Sequence, residues 1–217
     1  MKRRAFLLAL PFALAPGAAL AAVARPAPLS AADQADLARI EGYLNAIRTL
    51  QAGFLQVSSD GSVARGRMFL ARPGRLRFEY DPPADGLLIS DGTWLIHYDA
   101  QLKQANQLPL DLTPASFLVR EPVRLSGEVT VTRLQRGPNV LRVTLVRTSE
   151  PGQGSVLLTF GDNPLGLQQW IVTDALGVET RLSLLEPRQG VPIDPKMFVL
   201  DKPVLGPGQA PGSGGSR

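Results

Sequence analysis

Cysteine is absent from this sequence, and histidine occurs once, at His97. No disulfide can form, and no N-terminal cysteine is present to carry a lipid anchor. Because structural and catalytic zinc sites draw mainly on cysteine and histidine, the chain has almost no ligands to offer one. We therefore predict no metal and no cofactor, and a fold held together by its hydrophobic core alone.

Catalytic motifs are also lacking. The sequence has no G-x-S-x-G nucleophile elbow, and residues 152–155 (GQGS) do not have its spacing. Phosphate-loop and dinucleotide-binding fingerprints are absent as well. His97 fits an outward-facing strand position, and the aspartates between residues 81 and 99 fit turns. The sequence therefore predicts a protein that is not an enzyme, with a secreted hydrolase that depends on His97 as one alternative.

Only one long apolar run occurs, and it lies at the N-terminus. Three basic residues precede an apolar stretch over residues 5–20, and small residues offer cleavage sites after Ala21 or Ala24. This pattern is typical of a secretory signal peptide, which we assign to residues 1–21. A retained membrane anchor is the alternative, but two prolines within the run favour cleavage. Because the adjacent arginines fit a general or a twin-arginine signal, the export route stays undecided.

The charge of the mature chain is close to zero. The full sequence has 23 basic and 19 acidic residues, a net charge of +4. Removing residues 1–21 takes away three basic residues and no acidic one, so the net charge falls to +1. A nearly neutral chain has no general attraction for nucleic acid or for an anionic membrane. We therefore predict no nucleic-acid partner.

One long helix is predicted over residues 30–51. Ser30 and Asp33 have the spacing of a capping box, with aspartate in place of the usual glutamate. Apolar residues then recur along one side of this helix, at Leu37, Ile40, Leu44, Ile47 and Leu50. A second, short helix is predicted over residues 112–121, and a single helical turn over residues 194–198. The long helix needs an apolar surface to lie on.

The rest of the chain predicts that surface to be a sheet. Alternating segments separated by turn residues predict around ten strands, over residues 52–58, 62–71, 75–80, 86–90, 93–98, 102–108, 127–134, 139–148, 154–160, 166–173 and 178–186. The fold class is mainly β with α: a single, strongly curved antiparallel sheet with the helices on its apolar side. One domain spans residues 30–203, and the Gly/Pro-rich residues 204–217 are expected to be disordered. Periodicity alone cannot separate a packed concave side from one that leaves room for an apolar ligand.

Three segments resemble a known family. Residues 43–56 (YLNAIRTLQAGFLQ), 66–80 (GRMFLARPGRLRFEY) and 90–99 (SDGTWLIHYD) are similar to the periplasmic outer-membrane lipoprotein carriers, the LolA family. The shared pattern is L-x-A-x-F-x-Q at the end of a helix, then an R-P strand ending in R-F-x-Y, then S-D-G before an aromatic strand. The resemblance extends more loosely over nearly all of residues 30–203.

This resemblance implies an unclosed β-barrel with a helical lid over an apolar cavity. Such carriers accept acylated lipoproteins from an inner-membrane ABC-type release complex, shield the acyl chains in the periplasm and deliver them to an outer-membrane acceptor. We accordingly expect a monomer in the periplasm that acts as a carrier. The alternatives are a periplasmic lipid-binding sensor or adaptor of the same fold, or one protein that combines carrier and acceptor.

The resemblance also implies which residues form the site. The arginine of the R-P motif, Arg72, is expected to act as the gate that holds the lid closed through hydrogen bonds. A guanidinium can donate several such bonds in a fork that lysine cannot reproduce. The residues expected to line the acyl-chain cavity are apolar and lie on strands or on the lid: Phe54, Leu70, Leu76, Phe78, Trp94, Ile96 and Leu118.

Overall fold

The computed structural model describes residues 26–113 and 115–200, and within these it contains one antiparallel sheet and two α-helices. The strands are β1 (Thr49–Ser58), β2 (Val63–Ala71), β3 (Arg75–Tyr80), β4 (Gly86–Asp91), β5 (Trp94–Asp99), β6 (Gln104–Pro109), β7 (Val129–Gly137), β8 (Val140–Arg147), β9 (Gly154–Asp162), β10 (Leu165–Asp174) and β11 (Glu179–Gln189). The helices are α1 (Ala31–Ala46) and α2 (Ala115–Val119). The predicted fold class, mainly β with α, is confirmed. The predicted signal peptide and the tail over residues 204–217 lie outside the described residues.

The eleven strands form one open sheet in the order β6-β5-β4-β3-β2-β1-β11-β10-β9-β8-β7. Two meanders, β1 to β6 and β7 to β11, meet where β1 pairs with β11. The edge strands β6 and β7 are at opposite ends of this order, so the sheet is not closed into a full barrel. Ala27, ahead of α1, donates a backbone hydrogen bond to Val131 on the β7 edge. The predicted unclosed antiparallel sheet is therefore confirmed.

The helix α1 begins as predicted but ends earlier. The capping box is present: the Ser30 side chain accepts from the Asp33 backbone at 3.2 Å, and Asp33 accepts from the Ser30 backbone at 2.8 Å. The predicted end at residue 51 is wrong, because Leu50 already belongs to β1 and pairs with Leu70. Leu50 lies three residues after Ile47, and this spacing extended the predicted apolar side of the helix too far. In the structure Leu50, Ala52 and Phe54 are buried in alternation, which is the pattern of a strand.

The helix α1 packs on the concave side of the sheet and forms one core with it. Ile40 and Leu44 of α1, and Ile47 directly after it, are buried against residues from both meanders. Phe54 lies at the centre, with edge-to-face ring contacts to Phe78 and to Tyr80, each at 5.2 Å between centroids. Such pairs contribute about 0.5–1.5 kcal/mol beyond the area that they bury. In this conformation the centre of the concave side is filled by the protein's own side chains.

The segment between β6 and β7 joins the two edge strands and so crosses the open side of the sheet. It contains a 3₁₀ turn, Leu110–Leu112, and then α2, which is shorter than the predicted helix over residues 112–121. We call residues 110–113 and 115–125 the lid. Near the C-terminus, the predicted helical turn is present as a 3₁₀ turn, Pro195–Phe198, and Phe198 is buried. None of the helices in the described part of the chain is long and apolar enough to span a bilayer.

Candidate functional site

Arg72 follows β2 directly and connects the lid to the end of α1. Its Nε and Nη2 atoms both donate to the Leu118 carbonyl on α2, at 3.0 and 2.8 Å. Its Nη1 atom donates to the Ile47 carbonyl at 3.1 Å and also to the Leu44 carbonyl. We call this set of hydrogen bonds the lid latch. The predicted contact between Arg72 and the lid backbone is present, and its role as a gate stays a prediction.

The lid latch supplies donors to backbone carbonyls at the ends of both helices. The last carbonyls of a helix have no partner within the helix, and α1 has no basic residue in its last turn. Arg72 supplies donors to both helix ends at once. Among the described residues no carboxylate forms an ion pair with it. Burial, with a smaller contribution from the neighbouring Arg48, lowers the pKa of Arg72 to about 10, so the guanidinium stays charged at neutral pH.

A second set of contacts fixes the C-terminal part of the lid to α1. The Asn45 side chain accepts from the Val123 backbone at 2.8 Å and donates to the Val123 carbonyl at 2.9 Å, as a neighbouring strand would. One turn earlier, the Glu41 carboxylate accepts from the Leu125 backbone at 2.5 Å. These polar contacts hold the lid in register at two residues, Val123 and Leu125, whose side chains are buried in the core.

The lid also contacts the turn between β2 and β3. The Gly74 backbone donates to the Val119 carbonyl at 2.9 Å, and Arg48 forms an ion pair with Glu121. Gly74 has φ +78°, and a Cβ there would lie 2.6 Å from Gly92 Cα, so this turn requires glycine. The apolar side of the lid, including Phe117 and Leu118, is thereby held against the core.

The N-terminal half of α1 is fixed by charges instead. Arg136 on β7 contacts Asp33 at 2.7 Å and Asp36 at 2.6 Å, while Arg39 contacts Asp36 at 2.9 Å and Asp162 at 2.8 Å. Hydrogen bonds from Ser30 and from Arg136 hold the pKa of Asp33 below its ordinary value. This network ties α1 to the second meander, so α1 stays in place when the lid contacts change.

A cavity of about 500 Å³ opens between the lid and the ends of strands β7 to β10. Its apolar lining comes from the lid and from all four of these strands: Leu112, Phe117, Val129, Leu145, Val146, Val156 and Val172. Charged residues of both signs also line it: Arg120, Glu128, Arg147, Glu150 and Asp174. Arg147 reaches the lid, where its Nη2 atom donates to the Asp111 carbonyl at 2.9 Å. We call this space the lid cavity.

Five of the seven predicted lining residues belong to one buried cluster: Phe54, Leu70, Leu76, Phe78 and Leu118. They are packed against one another and against α1, and none of them lines the lid cavity. The lid cavity instead uses residues of β8, β9 and β10 that sequence reasoning did not select. Alternation marked those strands as half-buried, but only the register shows which of their residues reach the lid.

Trp94 and Ile96 do not join this cluster, and their assignment to the same lining is corrected. Directly paired residues of an antiparallel sheet project to the same face. Leu76 pairs with Ser90, which pairs with Leu95, so Leu95 shares the face of Leu76. Trp94 and Ile96 therefore project from the opposite face, and Trp94 is 39% exposed. Alternation identified the two faces of β5 correctly, but not which one is concave.

The other expectations about the site concern His97 and metals. His97 is exposed, but it pairs with Leu88, which pairs with Phe78, so it projects from the same face as Phe78 and the predicted outward-facing position is wrong. Within residues 26–113 and 115–200 no group of three or more histidine and carboxylate side chains is arranged to hold a metal ion. Asn45 and Glu41 were not anticipated as lid contacts. Their position one turn apart on α1 is the only sequence signal that could have indicated them.

Comparison with known proteins gives consistent matches. The family model described as outer membrane lipoprotein carrier protein LolA matches residues 45–201. An outer-membrane lipoprotein carrier protein of Pseudomonas aeruginosa is 32% identical over 194 residues, covering 85% of this chain and 92% of its own length. One of Methylococcus capsulatus is 30% identical over 185 residues, covering 80% and 87%. A solved LolA superfamily protein from Nitrosomonas europaea has a TM-score of 0.42 at 13% identity, covering 76% and 98%.

Proposed function

This chain belongs to the outer membrane lipoprotein carrier protein LolA family, and from that premise we propose that it carries acylated lipoproteins through the periplasm. The proposed route runs from an inner-membrane ABC-type release complex to an outer-membrane acceptor. The protein needs no cofactor for this and catalyses no reaction. Its task is physical: it keeps acyl chains out of water and then releases them.

The observation that carries this proposal is an apolar interior covered by a lid that polar contacts hold in place. Removing one methylene from water contributes about 0.8 kcal/mol, so a sixteen-carbon acyl chain represents about 12 kcal/mol before costs are subtracted. A hydrogen bond from a charged donor contributes about 1.5–3 kcal/mol. The lid latch and the Asn45 contacts together therefore amount to several kcal/mol. Exposure of the buried apolar side chains of the lid adds to the cost of opening, and binding of acyl chains has to offset both.

Loading requires the lid to move, because the concave centre is filled in the lid-closed form. Lifting α2 would expose the buried Phe117 and Leu118, together with the face of β3 that carries Leu76 and Phe78. We propose this face, continued by Leu95 in place of Trp94 and Ile96, as the surface that holds the acyl chains. The packed cluster of the lid-closed form is then the unloaded state of the carrier.

The lid latch gives the proposal a test in reconstituted transfer. Arg72→Leu removes the donors to both helices, and we expect a folded variant that receives lipoprotein from inner-membrane vesicles but delivers little to the acceptor. The reason is that a lid with a weaker closed state no longer favours release. Arg72→Lys keeps the charge without the forked geometry and should deliver at an intermediate level.

Arg75→Leu is the matched control, because Arg75 is an exposed arginine three residues further along the chain. It should receive and deliver lipoprotein like the unchanged protein. Normal delivery by Arg72→Leu would remove the gate assignment. If neither the unchanged protein nor the control accepts lipoprotein, the carrier proposal itself fails. Transfer from the loaded protein straight into vesicles without an acceptor would instead favour a combined carrier and acceptor.

A further inference from the structure

The lid cavity is open while the lid latch is closed. The atoms that accept hydrogen bonds from Arg72 belong to Leu118, Ile47 and Leu44, and none of these residues lines the lid cavity. The lid latch is therefore separate from the side of the lid that borders this accessible space. Phe117 is next to the latched Leu118 in sequence and faces this space. A ligand could enter here without breaking the latch.

The volume of the lid cavity matches one acyl chain. A methylene fills about the volume of a water molecule, about 30 Å³, so a cavity of about 500 Å³ has room for a chain of about sixteen methylenes. The volume also lies within the range of about 300–1,000 Å³ that is usual for small-molecule sites. The lid-closed form can thus hold a lipid with one chain.

The charges around the cavity indicate the headgroup. Both cationic side chains are engaged, since Arg120 forms an ion pair with Glu128 and Arg147 donates to the lid backbone. Glu150 is exposed, and Asp174 accepts two backbone hydrogen bonds within its own turn. Because the partner of Arg147 is a neutral carbonyl and no described carboxylate pairs with it, Arg147 keeps a charge that suits a phosphate, while Glu150 and Asp174 suit an ammonium. A bare carboxylate head would meet more repulsion.

We propose that the lid-closed protein binds one zwitterionic single-chain phospholipid, a lysophospholipid with an ammonium headgroup, in the lid cavity. The tail lies on Phe117, Leu145 and Val156, and the head lies at the charged opening. This activity goes beyond lipoprotein transport and needs neither lid opening nor a protein cargo. It gives the carrier fold a second class of ligand.

The experiment uses the mature chain and 1-palmitoyl-lysophosphatidylethanolamine below its micelle concentration. Isothermal titration should show one molecule bound per chain. Val156→Phe fills the cavity and should weaken binding about tenfold or more, since roughly two methylenes lose their place. Val63→Phe is the control, because Val63 is 60% exposed and lies outside the cavity.

Two further variants separate this proposal from transport. Arg147→Gln should weaken binding of the lysophospholipid while the thermal midpoint stays close to that of the unchanged protein. Arg75→Leu, the control of the transport assay, should leave its affinity unchanged within about twofold, because Arg75 belongs neither to the lid latch nor to the lining of the cavity. Equal affinity in Val156→Phe and Val63→Phe, or no binding of the lysophospholipid to the unchanged protein, would overturn the proposal. Since lipoprotein transfer is measured separately, loss of one activity with retention of the other shows which proposal has failed.

Discussion

Replacing Arg72 with leucine should loosen the lid without unfolding the protein. The substitution deletes the two hydrogen bonds to the Leu118 carbonyl and the bonds to the last turn of α1. The sheet and the charge network at the other end of α1 are untouched. The free energy of local lid opening should therefore fall, while the free energy of global unfolding changes less.

The expected change in the free energy of lid opening follows from the two hydrogen bonds between Arg72 and Leu118. Both bonds end on the same carbonyl oxygen, so we count a single charge-assisted interaction of about 1.5–3 kcal/mol. A change of this size speeds exchange through local opening by about 10- to 150-fold. Leucine also avoids the cost of burying a guanidinium, which places the expected value towards the lower end.

Hydrogen–deuterium exchange read by mass spectrometry checks this prediction. Peptides that cover residues 115–125 should exchange faster in Arg72→Leu, and peptides from β9 and β10 should not change. Arg75→Leu is measured alongside and should match the unchanged protein. Equal protection of residues 115–125 in the variant and in the unchanged protein would refute the idea that Arg72 holds the lid.

Three further predictions concern stability. Asn45→Ala leaves the Val123 backbone groups without their partners and should cost about 1–3 kcal/mol in urea unfolding; an unchanged midpoint would contradict the strand-like pairing. Gly66→Ala would place a Cβ 1.9 Å from a backbone oxygen and should lower the thermal midpoint sharply, whereas Gly42→Ala, with open space in the middle of α1, should stabilise by about 0.5–1 kcal/mol. The folded protein lowers the pKa of Asp33 from 3.8, so its contribution is present above pH 3.8 and is lost as the pH falls through the folded pKa. Asp33→Asn should therefore have a shallower loss of stability in acid, and identical pH profiles would show that this network contributes nothing.

The strands could be predicted from sequence because their turns are local. Residues 75–80 alternate cleanly between a turn with Gly74 and a break at two prolines, and β3 has these bounds. The end of α1 could not be placed in the same way, because Ile47 and Leu50 fit a helical stripe and a strand equally well. The interaction that decides it is the pairing of Leu50 with Leu70, twenty residues away.

The candidate site was predictable only in part, for a physical reason. Alternation separates the two faces of β5, but the face that turns inward depends on the register across the β3–β4 and β4–β5 pairs. That register selects Leu95 and not Trp94 or Ile96. Arg72 was indicated by family resemblance, since nothing in its local sequence reveals that a carbonyl forty-six residues away accepts its hydrogen bonds. The lid cavity is lined by several strands and by the lid, so no single segment of the sequence indicates it.

Native mass spectrometry of the protein purified from the periplasm of its own cells is the most direct test of the central proposal, that the apolar interior opens to take acyl chains. We expect a fraction of the chain to carry one triacylated lipoprotein, and that fraction should increase in Arg72→Leu. A protein recovered only without such cargo, which also takes up none when lipoprotein is supplied, would contradict the account.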